Sequence, residues 1–304
     1  MSSFVFRSFT LFFLAGLILF PKHLQAQNSK TVEECLPYLA TYTLPYGVLV
    51  KLKPGTLLIS DNVRIDESEI YSKIRRSKPS IRNQLQKNAF YILEKIAAER
   101  LLLQEALVQG EKRKGTSEET IARYLDQKFK DLPVTDEELG QYYQENKHLL
   151  GDPDLDPFKE SLRDFLKEQK KQKAIRHYIL TLGQRRPIQV NEDWAESQHA
   201  KAKNNPLDRL RSAGKPALVL FGARGECPCD LVSPILIELG KKYKNRIEVL
   251  IISLREDRVL ADRYGVQIIP DLVFFDDKGR EVYRHVGFLP EREIEEKLKQ
   301  FGLI

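Results

Sequence analysis

Cysteine, tryptophan and methionine are all scarce in this chain, at three, one and one among 304 residues. Three cysteines cannot build the disulfide framework of a small secreted scaffold, and an odd count leaves one thiol outside any set of pairs. Long hydrophobic runs are also missing. The longest, Phe9 to Phe20, is about a dozen residues, short of the ~18–20 that a spanning helix requires. Neither sign of charge dominates: 49 basic residues are interleaved with 43 acidic ones, for a net charge of +6. With no RNP box or finger spacing, that interleaving describes solvated helix faces and excludes a dedicated nucleic-acid binder. What is present is 42% apolar residues, enough at this length for about two folded domains.

The N-terminus has a specific pattern. Arg7 precedes the apolar run, Pro21 breaks it, and Leu24-Gln-Ala26 follows. A basic start, a short apolar core and a small residue at the break predict a secretory signal peptide over residues 1–26, cut after Ala26. The mature chain then carries no stable membrane span and works in an exported setting where disulfides persist. Cys35 follows Val32 and two glutamates, not the small residues of a lipidation site.

Residues 27–54 read as irregular, with Pro37, Pro45 and Pro54. Thr56–Ser60 reads as a strand, and Asp66 with Glu69 has the spacing of a capping box opening a helix. Leu85, Ala89, Ile92, Leu93, Ile96, Ala97, Leu103 and Leu107 predict one helix over 80–109. Further helices are predicted over 117–130, from Thr135 onward, and over 157–183 after the loop 151–157. From residue 187 the pattern changes. Strands at 187–190, 217–221 and 247–252 alternate with helices at 206–211, 231–243 and 258–264. A hairpin (272–275 and 281–285) and a last helix (291–301) complete an order that implies a mixed sheet with helices on both faces.

The chemistry gathers at Glu226-Cys227-Pro228-Cys229. Cysteines two apart on a turn entering a helix have Cα atoms about 5.5 Å apart, within disulfide range. Pro228 restricts the backbone at Cys227, so the ring is strained and more readily reduced. A helix N-terminus favours the thiolate, whereas the Glu226 carboxylate opposes it. The residues leave three readings open: a redox pair, an inert pair, or pairing of one of them with Cys35. Two thiols fall short of the four ligands of a zinc site, so neither a metal nor a cofactor is expected. His285 reads as a surface residue.

Two resemblances sharpen this reading. Val63–Ile70, Leu93–Ala106 and Val134–Asn146, with Leu166 and Lys170 on the late helix, resemble the N-terminal chaperone domain of the SurA family over residues 55–185. In that family a parvulin-type prolyl isomerase domain usually sits where this chain has only Gly151–Pro157, so prolyl isomerase activity is not expected. Residues 187–304 resemble thioredoxin through Phe221, Pro228-Cys229, Pro234, Gly265–Pro270 and Gly287. The 41-residue step from Cys229 to Pro270 equals that between the second cysteine and the cis-proline of thioredoxins. The resemblance implies a cis Ile269–Pro270 bond shaping a peptide-binding groove. Three positions depart from the pattern: Glu226 replaces the first cysteine, Gly225 the preceding tryptophan, and Leu220 the buried acid.

The expected fold is therefore multidomain: an all-α SurA-N-like chaperone domain followed by an α/β thioredoxin-like fold. The implied function is periplasmic thiol–disulfide exchange by Cys227 and Cys229, modulated by Glu226 and Pro228. Ile269 and Pro270 would bind substrate, and the partners would be unfolded or maturing exported proteins and a redox partner protein. The alternatives are a non-catalytic docking module and a redox-regulated partner protein with Cys35 as its resolving thiol.

Overall fold

The computed structural model describes residues 30–147, 154–223, 225 and 229–304. The signal peptide read at 1–26 lies outside the described residues, as do Glu226, Cys227 and Pro228.

The N-terminal unit is a helical body built on a small sheet, not an all-α domain. The segment read as irregular supplies α1 (Val32–Cys35) and β1 (Val48–Val50). β2 (Thr56–Ser60) and β3 (Val63–Asp66) form an antiparallel pair. α2 (Glu67–Arg76) opens as the capping spacing requires, the Asp66 backbone N–H donating to the Glu69 carboxylate at 3.1 Å.

The helix read over 80–109 is two helices, α3 (Pro79–Lys87) and α4 (Ala89–Val108). Asn88 leaves the helical conformation, and its side chain donates back to the Gln84 carbonyl at 2.9 Å. This local bond competes with helix continuation. α5 (Ser117–Lys128), α6 (Asp136–Asn146) and the long α7 (Lys159–Arg185) follow. Thr135 caps α6, accepting from the Glu138 N–H at 3.1 Å.

β4 (Gln189–Asn191) corrects the domain boundary. The strand read at 187–190 as the start of the second domain pairs in the first sheet, between β1 and β2 in the order β1-β4-β2-β3. α8 (Glu192–Ala202) then completes the first core, with Trp194 stacked on Phe90 at 6.0 Å between ring centroids. The physical reason is burial: Val190 lies opposite Leu49 on one side and Leu58 on the other, and all three are buried. Excluding that apolar surface from water outweighs the polar face of so short a strand.

Glu94 of α4 is the polar anchor of this core. It is 0% exposed, yet its carboxylate accepts from the backbone N–H groups of Thr41, Tyr42, Thr43 and Leu44 at 2.9–3.2 Å, and from the Thr41 hydroxyl at 2.9 Å. A buried charge is tolerated only with such full satisfaction. It fixes loop 41–44 against α7, where Gly183 passes so close that a Cβ would lie 2.0 Å from the Thr43 carbonyl oxygen.

The C-terminal unit has a four-stranded sheet in the order β6-β5-β7-β8. Its strands are β5 (Ala217–Gly222), β6 (Glu248–Ser253), β7 (Asp271–Phe275) and β8 (Glu281–Val286). β5 runs parallel to β6 and antiparallel to β7, and β7 and β8 form the expected hairpin. α10 (Cys229–Lys242) and α12 (Glu291–Gln300) cover one face over Leu218, Leu220, Leu272 and Phe274. α9 (Pro206–Arg211) and α11 (Arg258–Arg263) cover the other over Val219, Phe221, Val273 and Phe275. Alternation along buried strands produces these two cores.

The units are fastened to each other by buried polar contacts. Arg263, 3% exposed, pairs with Asp208 at 2.8 Å and reaches the carbonyl oxygens of Tyr38 and Leu39 and the side chain of Asn88 in the N-terminal unit. Asp208 also accepts from the Tyr264 hydroxyl at 2.7 Å. Tyr38 donates to the Lys278 carbonyl at 2.6 Å, and its ring lies under the Arg211 guanidinium at 4.3 Å. Gly279 has φ +66, and a Cβ there would sit 2.9 Å from the Tyr38 ring, so the turn requires glycine both conformationally and sterically.

A second contact lies along α7. Gln267 donates to Gln172 at 3.2 Å, and Arg176 packs beside Gly265. Burial, together with the neighbouring Arg284 charge, pulls the Arg176 guanidinium below its ordinary range. Arg284 holds Asp271 at 2.7 Å through one carboxylate oxygen. Burial, with Oδ1 left without a donor, pushes the Asp271 carboxyl up to about 6 against that attraction.

Two outcomes follow from these contacts. Arg263→Met leaves Asp208 buried without its countercharge and is expected to cost about 3–5 kcal/mol of stability in urea unfolding. It should also separate the unfolding of the two units; a wild-type-like single transition would contradict the fastening role. The folded-state value of Asp271 lies above its unfolded value, so the folded chain holds an extra proton between about pH 4 and 6. Stability should therefore fall as pH rises through that window, by up to ~3 kcal/mol from this group. Asp271→Asn should flatten that part of the profile, and an unchanged slope would refute the assignment.

Candidate functional site

The cysteine corner is built by three elements that end together. β5 closes at Gly222, α10 begins at Cys229, and β7 begins at Asp271 directly after Pro270. Phe221 pairs with Asp271, so one residue further on each strand Gly222 faces the position of Pro270. The Ile269–Pro270 bond is cis. The Pro270 carbonyl accepts from the Gly287 N–H at 2.8 Å, which ties the loop to the end of β8.

Cys229 is 2% exposed. Its Sγ sits over Gly222, where an added Cβ would approach the sulfur to 3.2 Å and come within 3.8 Å of the Leu220 side chain. Glycine at 222 is therefore what lets the thiol seat at the sheet. Leu220 gives this pocket an apolar floor. Ser233 donates to the Cys229 carbonyl at 2.9 Å, holding the first turn of α10.

Two contributors were not singled out from the sequence. Gly222 is one; its signal was a glycine ending an otherwise bulky buried strand. Asp230 is the other: its carboxylate accepts from the Gly225 N–H at 3.1 and 3.2 Å, bracing the loop, with Gly225 at φ +79. An acid in the first helical turn, next to the second cysteine, was the available signal.

Of the residues read as the site, Cys229, Ile269 and Pro270 come together at this corner; Glu226, Cys227 and Pro228 lie outside the described residues. Ile269 packs partly into the core under α11, whereas Ile268 is 43% exposed beside it. His285, read as a surface residue, is buried, with a ring nitrogen 2.9 Å from the Phe288 carbonyl oxygen. Among the described residues no three of His, Cys, Asp and Glu gather as a metal site requires.

Cys35 is exposed and lies three residues before Tyr38. Tyr38 contacts the β7–β8 turn at Lys278, at the end of β7 opposite Asp271. The length of the sheet, roughly 15–20 Å for strands of this size, separates that end from the cysteine corner.

A family profile described as a thioredoxin-like domain matches residues 203–302, starting just after the last helix of the first core. The chain is 33% identical over 87 residues to thioredoxin of Borreliella burgdorferi, a match covering 29% of this chain and 74% of that protein. It is 32% identical over 85 residues to thioredoxin 1 of Nostoc sp., covering 28% and 78%. Thioredoxin of Mycoplasmoides gallisepticum is 31% identical over 93 residues, covering 31% and 91%. Through this C-terminal domain the chain belongs to the thioredoxin family.

Proposed function

We propose that this protein is an exported thiol–disulfide oxidoreductase or isomerase whose helical half holds unfolded client proteins. The observation that carries the reading is the cysteine corner. A buried Cys229 heads α10 against Gly222, in the corner formed with cis-Pro270, on a domain of the thioredoxin family. Cys227 is the attacking thiolate: it displaces one sulfur of a client disulfide and forms a mixed disulfide. Cys229 then attacks the Cys227 sulfur, releasing the second client thiolate and leaving a Cys227–Cys229 disulfide. An external dithiol donor must return two electrons before the next cycle. Ile269 and Pro270 position the client backbone.

The SurA-like reading of residues 55–185 supports a holding role, as does an apolar groove of about 160 Å³ between α6 and α7 lined by Val134, Leu166 and Gln169. Periplasmic export rests on the apolar run Phe9 to Phe20 and its flanks. A second reading, a non-catalytic docking module, is favoured by one feature: Leu220 leaves no carboxylate on the floor beneath Cys229.

Insulin reduction and reactivation of scrambled ribonuclease separate the two. Cys227→Ser is expected to abolish both activities, and Cys229→Ser to trap a mixed disulfide with the client. All three proteins should suppress aggregation of an unfolded client equally. If wild type and both variants behave alike in the redox assays, the docking reading replaces the enzymatic one.

A further inference from the structure

The two edges of the C-terminal sheet are treated differently. β8 carries Glu281 and Arg284 in an ion pair, and Arg176 of α7 approaches the same charges. Such charges guard a strand against pairing with another chain. β6 has no such guard. Its sequence, Glu248-Val-Leu-Ile-Ile-Ser253, is apolar in the middle, and β5 is its only strand partner.

The ladder to β5 uses the N–H groups of alternate residues, with Glu248 donating to Pro216 and Leu254 to Gly222 at the two ends. In a strand the intervening residues, Val249, Ile251 and Ser253, direct their backbone groups to the open side. Ile251 is 41% exposed, on the same face of the sheet as α10, whose Ile237 is also exposed. The strand read at 187–190 is committed to the first sheet and cannot cover this edge.

We propose that β6 pairs antiparallel with β6 of a second copy of this chain, about a twofold axis at Ile251, joining two sheets into one of eight strands. The outward N–H and C=O groups select this register: Ile251 pairs with itself, and Val249 with Ser253 of the second copy. Ile251 then buries its exposed surface against its own equivalent. The same register sets Arg246 opposite Glu256 of the second copy, twice by symmetry. Both residues are exposed, and neither forms an ion pair within its own chain. This pairing is independent of the thiol chemistry.

The test is sedimentation equilibrium of the purified chain, as recovered from cells, in reductant so that Cys35 cannot crosslink copies. Wild type should sediment at twice the chain mass. Ile251→Lys, a guard charge on a surface position, should sediment as a folded monomer with unchanged circular dichroism. Arg246→Glu should weaken the dimer at least tenfold by placing like charges opposite each other, and the double variant Arg246→Glu/Glu256→Arg should restore it. A wild-type monomer at 100 µM (an order-of-magnitude ceiling, roughly that of weak association) would overturn the proposal. So would a dimer unaffected by Ile251→Lys, or a failure of the double variant to rescue.

Discussion

Arg263 and Asp208 form the contact on which the arrangement of this protein depends. A guanidinium this buried is tolerated only because the carboxylate, two backbone carbonyls and Asn88 surround it. Those partners come from both halves of the chain. The arginine therefore completes its coordination only when the helical unit and the thioredoxin-like unit are docked. Breaking the docking would expose or orphan a charge, so the two units resist moving independently.

That constraint reaches the cysteine corner through α11 and the segment after it. Arg263 ends α11, and the chain runs from there through Gly265 and Gln267 to the cis-proline. The same segment is touched from the other unit by Gln172 and Arg176 of α7, a helix of 27 residues, or ~40 Å. The loop that would receive a client backbone is thus held from both sides. A client gripped by the α6–α7 groove lies on the same helix that braces the loop, which gives the fusion of the two units a physical rationale.

Much of this was legible in the sequence where local chemistry decides the outcome. Thr135 and Asp66 open helices as their capping partners dictate, and the strands of the C-terminal sheet follow their apolar runs. The placement of Pro270 relative to Cys229 was legible because the spacing of two motif residues survives variation between them. Competition between distant segments was not legible. The strand after Pro187 looks the same whichever sheet takes it, and only the presence of Leu49 and Leu58 on either side assigns it to the first. Asn88 interrupts a helix whose periodicity continues across it, because its side chain serves Gln84 and Arg263 instead. His285 read as exposed because its burial depends on the Phe288 carbonyl, beyond the end of its own strand. Glu94, inconspicuous on a helix rich in glutamate and lysine, gained its role from a loop fifty residues earlier in the chain.

The central claim is that the corner at the end of β5 carries an exchangeable thiol pair although Glu226 stands where a first cysteine is usual and Leu220 lies beneath. Equilibration of the chain in glutathione buffers of graded potential, followed by acid quenching, alkylation and mass measurement, tests it most directly. The account predicts that Cys227 and Cys229 pass together from two alkylated thiols to none over a single two-electron transition, while Cys35 follows neither. Two thiols that remain alkylated at every potential, or a transition that pairs Cys35 with either of them, would contradict it.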